Sequence, residues 1–163
     1  MARTHLGLRP GLAALAAFAL GCGLVHKDVD VSKDFTAGGG PPTADARVDG
    51  NELVAPLSAS AGDLSHLSAV TLRAARLEAT DQGNLAFISD ATIVITASGL
   101  PQATLATLPA VPAGSRADLT VDSSKDLKPY LLAGSLLTAK LTYSPTPVSA
   151  RGLRLTITVR GSL

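Results

Sequence analysis

From Leu153 to Arg160 every odd position is apolar (Leu153, Leu155, Ile157, Val159) and every even one is polar (Arg154, Thr156, Thr158, Arg160). A helix of 3.6 residues per turn would scatter the four apolar side chains around its circumference, whereas an extended chain puts them all on one face. The pattern therefore predicts a strand with one side in a core and one in water. Leu137, Ala139, Leu141 and Tyr143 alternate in the same way with Thr138, Lys140 and Thr142. Between these two strands, Ser144-Pro145-Thr146-Pro147 predicts a hairpin loop. In Ala91–Ala97 the off-face Val94 is also apolar, which places that strand nearer the middle of a sheet.

Other segments carry the same period with interruptions. Val70 and Leu72 share one parity, and Ala75, Leu77 and Ala79 share the other. One extra residue near Arg73–Arg76 realigns the two faces, as a β-bulge does. Shorter strands are expected at Glu52–Leu57, Ala103–Leu108 and Ala117–Val121, separated by Ser98-Gly99-Leu100-Pro101 and by Pro109 to Gly114. One brief helix is expected after Ser123 or Ser124, through Leu127, Tyr130 and Leu131, ending at Gly134 with Pro129 in its first turn. A further helical turn fits Asp63–Leu67. Many short strands at roughly 8–12-residue spacing predict an all-β fold, an Ig-like or related antiparallel β-sandwich with one short helix, over residues 51–163.

The N-terminal part reads differently. Arg3 and Arg9 precede the apolar run Leu12–Leu20, small residues follow, and the chain's single cysteine, Cys22, stands at the break. The run is too short to span a bilayer, which takes roughly 20 residues, and it has the length of a secretory signal core. Residues 1–21 are thus expected to be a signal peptide. Ala19, Leu20 and Gly21 before Cys22 resemble the lipobox of bacterial lipoproteins, whose cysteine is acylated and becomes the new N-terminus. Ala19 departs from the preferred leucine. Ala17-Phe18-Ala19, or Ala19-Leu20-Gly21, also fits an ordinary cleavage site, and that alternative leaves a soluble chain with one unpaired thiol. Gly23 after the cysteine is not the aspartate of inner-membrane retention, so the outer membrane is the expected sheet. Residues 22–50, with Gly38-Gly39-Gly40-Pro41-Pro42, are expected to be a lipid anchor and flexible tether spanning on the order of 30 Å. Val29 and Val31 could add a short edge strand to it.

Loss of residues 1–21 removes Arg3 and Arg9 and leaves 12 basic against 13 acidic side chains, a formal charge of −1. Such a balance gives no electrostatic footprint for nucleic acid. No tryptophan is present and only five phenylalanines and tyrosines, too few for stacking platforms. A single cysteine excludes an intrachain disulfide. His26 and His66 are the only histidines after Cys22. Neither lies in a pattern that suggests a triad, and no G-x-S-x-G elbow occurs. Ser115 after Gly114 reads as turn chemistry. Asp28, Asp30 and Asp34 lack the glycine turn and bidentate acid of the usual calcium loop. Asp118, Asp122 and Asp126 recur every four residues across a strand and a turn, and zinc has no ligand set. No catalytic residue, metal or cofactor is expected. Arg73, Arg154 and Arg160 form the one cluster of interest, a possible basic stripe on one sheet, with ordinary solubility as the competing explanation.

Phe87-Ile88-Ser89-Asp90 leads into a Thr/Val-rich strand, followed by Gly99-Leu100-Pro101, Leu105-Ala106 and Leu108-Pro109, then Pro112-Ala113-Gly114. Leu127-Lys128-Pro129-Tyr130-Leu131 with Gly134 and two amphipathic strands completes the set. Over residues 64–163 this resembles a family of small bacterial lipoproteins with a β-sandwich domain. The resemblance implies lipidation and an all-β fold, and no activity, cofactor or catalytic residue. The expected role is a lipid-anchored envelope protein with a non-enzymatic binding or structural domain, held to the membrane through acylated Cys22 and meeting an envelope protein partner. The alternative is a binder of lipid or another small apolar ligand between the sheets, where Ala75, Ala79, Ala91, Ala97 and Ala139 leave room.

Overall fold

A computed structural model describes residues 26–39, 41–81, 83–111, 113–144 and 149–163. The expected signal peptide, with Ala19, Leu20, Gly21 and Cys22, lies outside the described residues. Nine strands form two antiparallel sheets: β1 (His26–Ala37), β2 (Thr43–Asp49), β3 (Ala69–Ala79), β4 (Ile88–Ala97), β5 (Leu100–Leu108), β6 (Arg116–Asp118), β7 (Thr120–Val121), β8 (Leu136–Tyr143) and β9 (Arg151–Ser162). The first sheet has the order β1-β9-β3-β6 and the second β2-β8-β4-β5-β7. The alternation at 153–160 decides the packing. Leu153, Leu155, Ile157 and Val159 are all buried, and they join Leu72, Ala75 and Leu77 of β3 and Ile93, Ile95, Leu137 and Leu141 of the facing sheet in one continuous core. Burial of each large aliphatic side chain contributes about 1.5–3 kcal/mol. The fold is the expected all-β sandwich.

Several details differ from the sequence reading. Residues 26–49 are not a tether but two strands, and residue 51 is not a domain boundary, since it lies inside helix α1 (Gly50–Ala61). In β1, Val29, Val31, Phe35 and Ala37 alternate with Asp28, Asp30, Ser32, Asp34 and Thr36, and twelve residues pair in register with β9. The outward carboxylates made the segment look solvated, but each faces a partner on β9. The Gly/Pro segment after Ala37 is the corner at which the chain leaves one sheet for the other.

Glu52–Leu57 is helix rather than strand. The Asp49 carboxylate accepts from the Asn51 N–H (2.8 Å) and the Glu52 carboxylate accepts from the Asp49 N–H (3.3 Å), which together form a capping box. Leu53 and Leu57, four apart, are then both fully buried. Pro56 sits inside this helix, against the usual preference. β8 and β9 are not a hairpin, because β8 pairs with β2 and β4 while β9 pairs with β1 and β3. Alternation reports which face is buried and not which strand lies alongside.

The expected bulge falls at Arg73: Leu72 is opposite Val159 and Ala74 opposite Thr158, leaving Arg73 without a partner. A short 3-10 turn occupies Leu64–His66, and helix α2 (Lys128–Leu132) precedes Gly134 at a positive φ of 72°. At the other margin Leu119 alone separates β6 from β7, so the strand passes from one sheet into the other with the Leu119 N–H on the Ala75 carbonyl (2.8 Å).

The crossings sort the molecule into two ends. Links β1–β2, β3–β4, β5–β6 and β8–β9 all change sheet at one end, the loop end. The start of β1, the end of β9, α1, the 3-10 turn and α2 gather at the other, the helical end.

Candidate functional site

The outer face of the first sheet carries most of the paired charge. Across four strands the register lines up Asp34, Arg154, Glu78 and Arg116 in one row of alternating sign. Arg154 clasps Asp34 through Nε (2.6 Å) and Nη2 (2.9 Å), and Arg116 Nε donates to Glu78 (2.6 Å). The next row runs Ser32, Thr156, Arg76 and Asp118, with the two hydroxyls 2.9 Å apart and Arg76 Nε 2.6 Å from Asp118. Nearer the helical end, the Thr158 hydroxyl donates to Asp30 (2.6 Å), and Arg160 clasps Asp28 at 2.6 and 2.7 Å.

Hydrogen bonds from the guanidinium groups hold the Asp28 and Asp34 carboxyls below their ordinary range and raise Arg154 and Arg160. Asp118 raises Arg76 in the same way.

Arg154 and Arg160 therefore lie on one exposed face, but not as a basic stripe. The outward residues of this sheet are Asp28, Asp30, Asp34, Glu78 and Asp118 against Arg73, Arg76, Arg116, Arg154 and Arg160, five of each sign. Arg73, on its bulge, lies near enough to Asp28 to help lower that carboxyl. The acids of β1 had no visible connection to the arginines some 120 residues away until the register brought them together.

The other candidates are dispersed. His26 Nδ1 is 3.0 Å from the Ser162 hydroxyl. His66 ends the 3-10 turn, whose first N–H groups are capped by Asp63; that bond from Ser65 (2.9 Å) lowers the Asp63 carboxyl. The Ser115 carbonyl accepts from Ala79 (2.8 Å), a turn contact. Asp118 pairs with Arg76, Asp122 accepts from Ser124, and Asp126 accepts from Val70 and Lys128, so these three acids share no centre. Among the described residues no three His, Cys, Asp or Glu side chains converge as metal ligands. Ala75, Ala91 and Ala139 are buried in the continuous core, with Ala79 and Ala97 half-buried. The clearest hollows open on the surface rather than between the sheets.

At the loop end, Arg151 Nε binds Asp81 (2.7 Å) and its guanidinium lies 6.0 Å from the centre of the Phe87 ring. Phe87 in turn packs on Tyr143 at 5.6 Å between ring centres. Burial raises the Tyr143 hydroxyl above its usual value.

At the helical end a groove runs between α1 and α2, lined by Val54, Leu64, Leu131 and Leu132 together with the polar Asn51, Ser58 and Asp63. Leu131 is turned into the core and Leu132 is 60 % exposed. Sequence reasoning missed this groove because α1 was read as a strand. The Asp49-x-x-Glu52 spacing before Leu53 and Leu57 was the available signal. Compared with protein-family models and with curated protein sequences, the chain matches none.

Proposed function

We propose that this chain is a lipid-anchored envelope protein whose sandwich is a non-enzymatic binding or structural module, held in the outer membrane by acylated Cys22 and similar to the small bacterial lipoproteins with a β-sandwich domain. The observation that carries the reading is the position of the cysteine. The first strand begins at His26, four residues after Cys22, so loss of residues 1–21 would leave every described strand in the mature chain. The pairing of the arginines with carboxylates argues against the charged sheet face as a substrate site.

A protein partner is then met at the loop end, where four inter-sheet links converge and the Arg151–Asp81 pair and the Phe87–Tyr143 contact fix their bases. The test is metabolic labelling with an alkyne fatty acid in a bacterial host, with intact mass of the mature protein. Label and a diacylglyceryl-modified Cys22 are expected in the wild type, and both are lost in Cys22→Ala. A mature chain that begins at Gly21 or earlier without label overturns the anchor.

A further inference from the structure

Each strand of β1 type rises about 3.3 Å per residue, so the twelve residues of β1 stretch over roughly 36 Å. The four bonds of chain from Cys22 to His26 reach at most about 14 Å even when fully extended. An anchor at Cys22 can thus bring the start of β1 to the lipid surface, and it cannot bring the end of β1 there unless the domain lies flat. What stands around the start of β1 is the helical end: the close of β9, the 3-10 turn, and the groove between α1 and α2.

This end is also where the chain exposes apolar surface. Leu132 (60 %) and Leu163 (48 %) are the two large hydrophobic side chains that stand well out into water among the described residues. Leu163 follows Ser162, which pairs with His26 at the very start of β1. Leu132 borders the groove, whose walls join Val54 to Asn51, Ser58 and Asp63 over the buried Leu64 and Leu131. Lys128, whose ammonium donates to the Ser65 and Leu67 carbonyls, offsets the Asp63 carboxylate, and Lys27 adds a positive charge next to the anchor. Exposed leucines beside lysines and small polar groups are suited to the boundary between headgroups and acyl chains. The loop end exposes no large hydrophobic residue among those described.

We propose that the helical end is the membrane-docking face, with Leu132 and the α1–α2 groove seated in the headgroup layer and the loop end directed away from the lipid. This rests on the anchor reading above, and the experiment separates the two. The chain contains no tryptophan and one cysteine, so single-tryptophan variants of the chain from Cys22 onward can be coupled through the Cys22 thiol to a maleimide phospholipid. The vesicles are of phosphatidylethanolamine and phosphatidylglycerol with acyl-chain-brominated lipid as quencher. Coupling fixes the attachment chemically, whether or not a cell acylates Cys22.

Leu132→Trp and Leu163→Trp report on the helical end and Ala110→Trp, also exposed, on the loop end. The expected result is a blue shift and about twofold or greater quenching at 132 and 163, because an interfacial side chain lies roughly 5–10 Å deep, with none at 110. Equal quenching at both ends, or none at 132 and 163, overturns the docking face. A docked helical end together with an unacylated Cys22 in cells would remove the anchor reading alone.

Discussion

The outer faces of the two sheets start from one rule, alternation with the core on the inside, and satisfy it by different chemistry. On the first sheet the outward positions are long charged side chains that reach across strands: Asp34 to Arg154, Glu78 to Arg116, Arg76 to Asp118. On the second, β2 and β8 turn Asp45, Arg47 and Lys140 outward, but around its middle strand the outward residues are short and β-branched. Thr92 and Thr96 flank Val94 along β4 and Thr104 and Thr138 stand opposite it; Val94 is only 4 % exposed although it points away from the core, and Thr138 is 8 % exposed. Neighbouring side chains on one face stand about 5 Å apart, so threonines at that spacing close over a valine. The first face thus depends on charge, which responds to salt and acid, and the middle of the second on contact, which does not.

The largest test of that contrast is an aspartate placed in the middle of each face. In Val94→Asp a carboxylate is buried between Thr104 and Thr138 with no cation directly opposite it, and a loss of about 3 kcal/mol or more is expected, read as a collapse of the thermal midpoint. In Thr156→Asp the new acid faces Arg76 across the strand pair, and stability should stay within about 1 kcal/mol of wild type. Equal damage at both sites would erase the distinction.

Reversing a charge comes next. Arg154→Asp sets a third acid between Asp34 and Glu78. The expected drop in thermal midpoint shrinks as salt is added, and the swap Asp34→Arg with Arg154→Asp recovers most of it. A loss indifferent to salt and to the swap would mean that packing, not charge, orders this face.

Acid should act on the same face. In the fold Asp28 and Asp34 are held below the ordinary aspartate value of 3.8, chiefly through hydrogen bonds from Arg160 and Arg154. Below that value the unfolded chain takes up protons first, so stability that is complete above pH 3.8 falls as pH drops toward the folded values. Asp28→Asn with Asp34→Asn should flatten this acid limb in urea titrations at successive pH values, and an unchanged slope would count against the pairs. The smallest effect is expected on the second face, where Thr92→Val with Thr107→Val should move stability by no more than about 0.5 kcal/mol and leave its salt dependence as it was.

Much of this was legible in the sequence, and the misses have physical causes. The strands of the C-terminal half, the bulge at Arg73 and the helix before Gly134 follow from local period and turn residues. Of β1 only a short edge strand at Val29 and Val31 was expected, because its outward half is acidic and the Arg154 and Arg160 that pair with it lie 120 residues or more further on. The β8–β9 hairpin was wrong because two adjacent amphipathic strands can share a sheet or face each other across a core with the same pattern. α1 was missed because Glu52–Leu57 was read as a short strand, and the Asp49–Glu52 capping spacing that starts the helix went unused. The arginines were found individually, but their neutralisation depends on register, which alternation does not encode.

The twelve-residue register of β1 on β9 has a mechanical consequence. With an attachment just ahead of His26 and a load taken at the loop end, the pull runs along β1 rather than across it. Its bonds to β9, with the Asp28–Arg160 and Asp34–Arg154 clasps at either end of the ladder, are then strained together and must fail together. A strand placed this way resists shear, and a domain loaded between those two points carries tension without first peeling open at its edge.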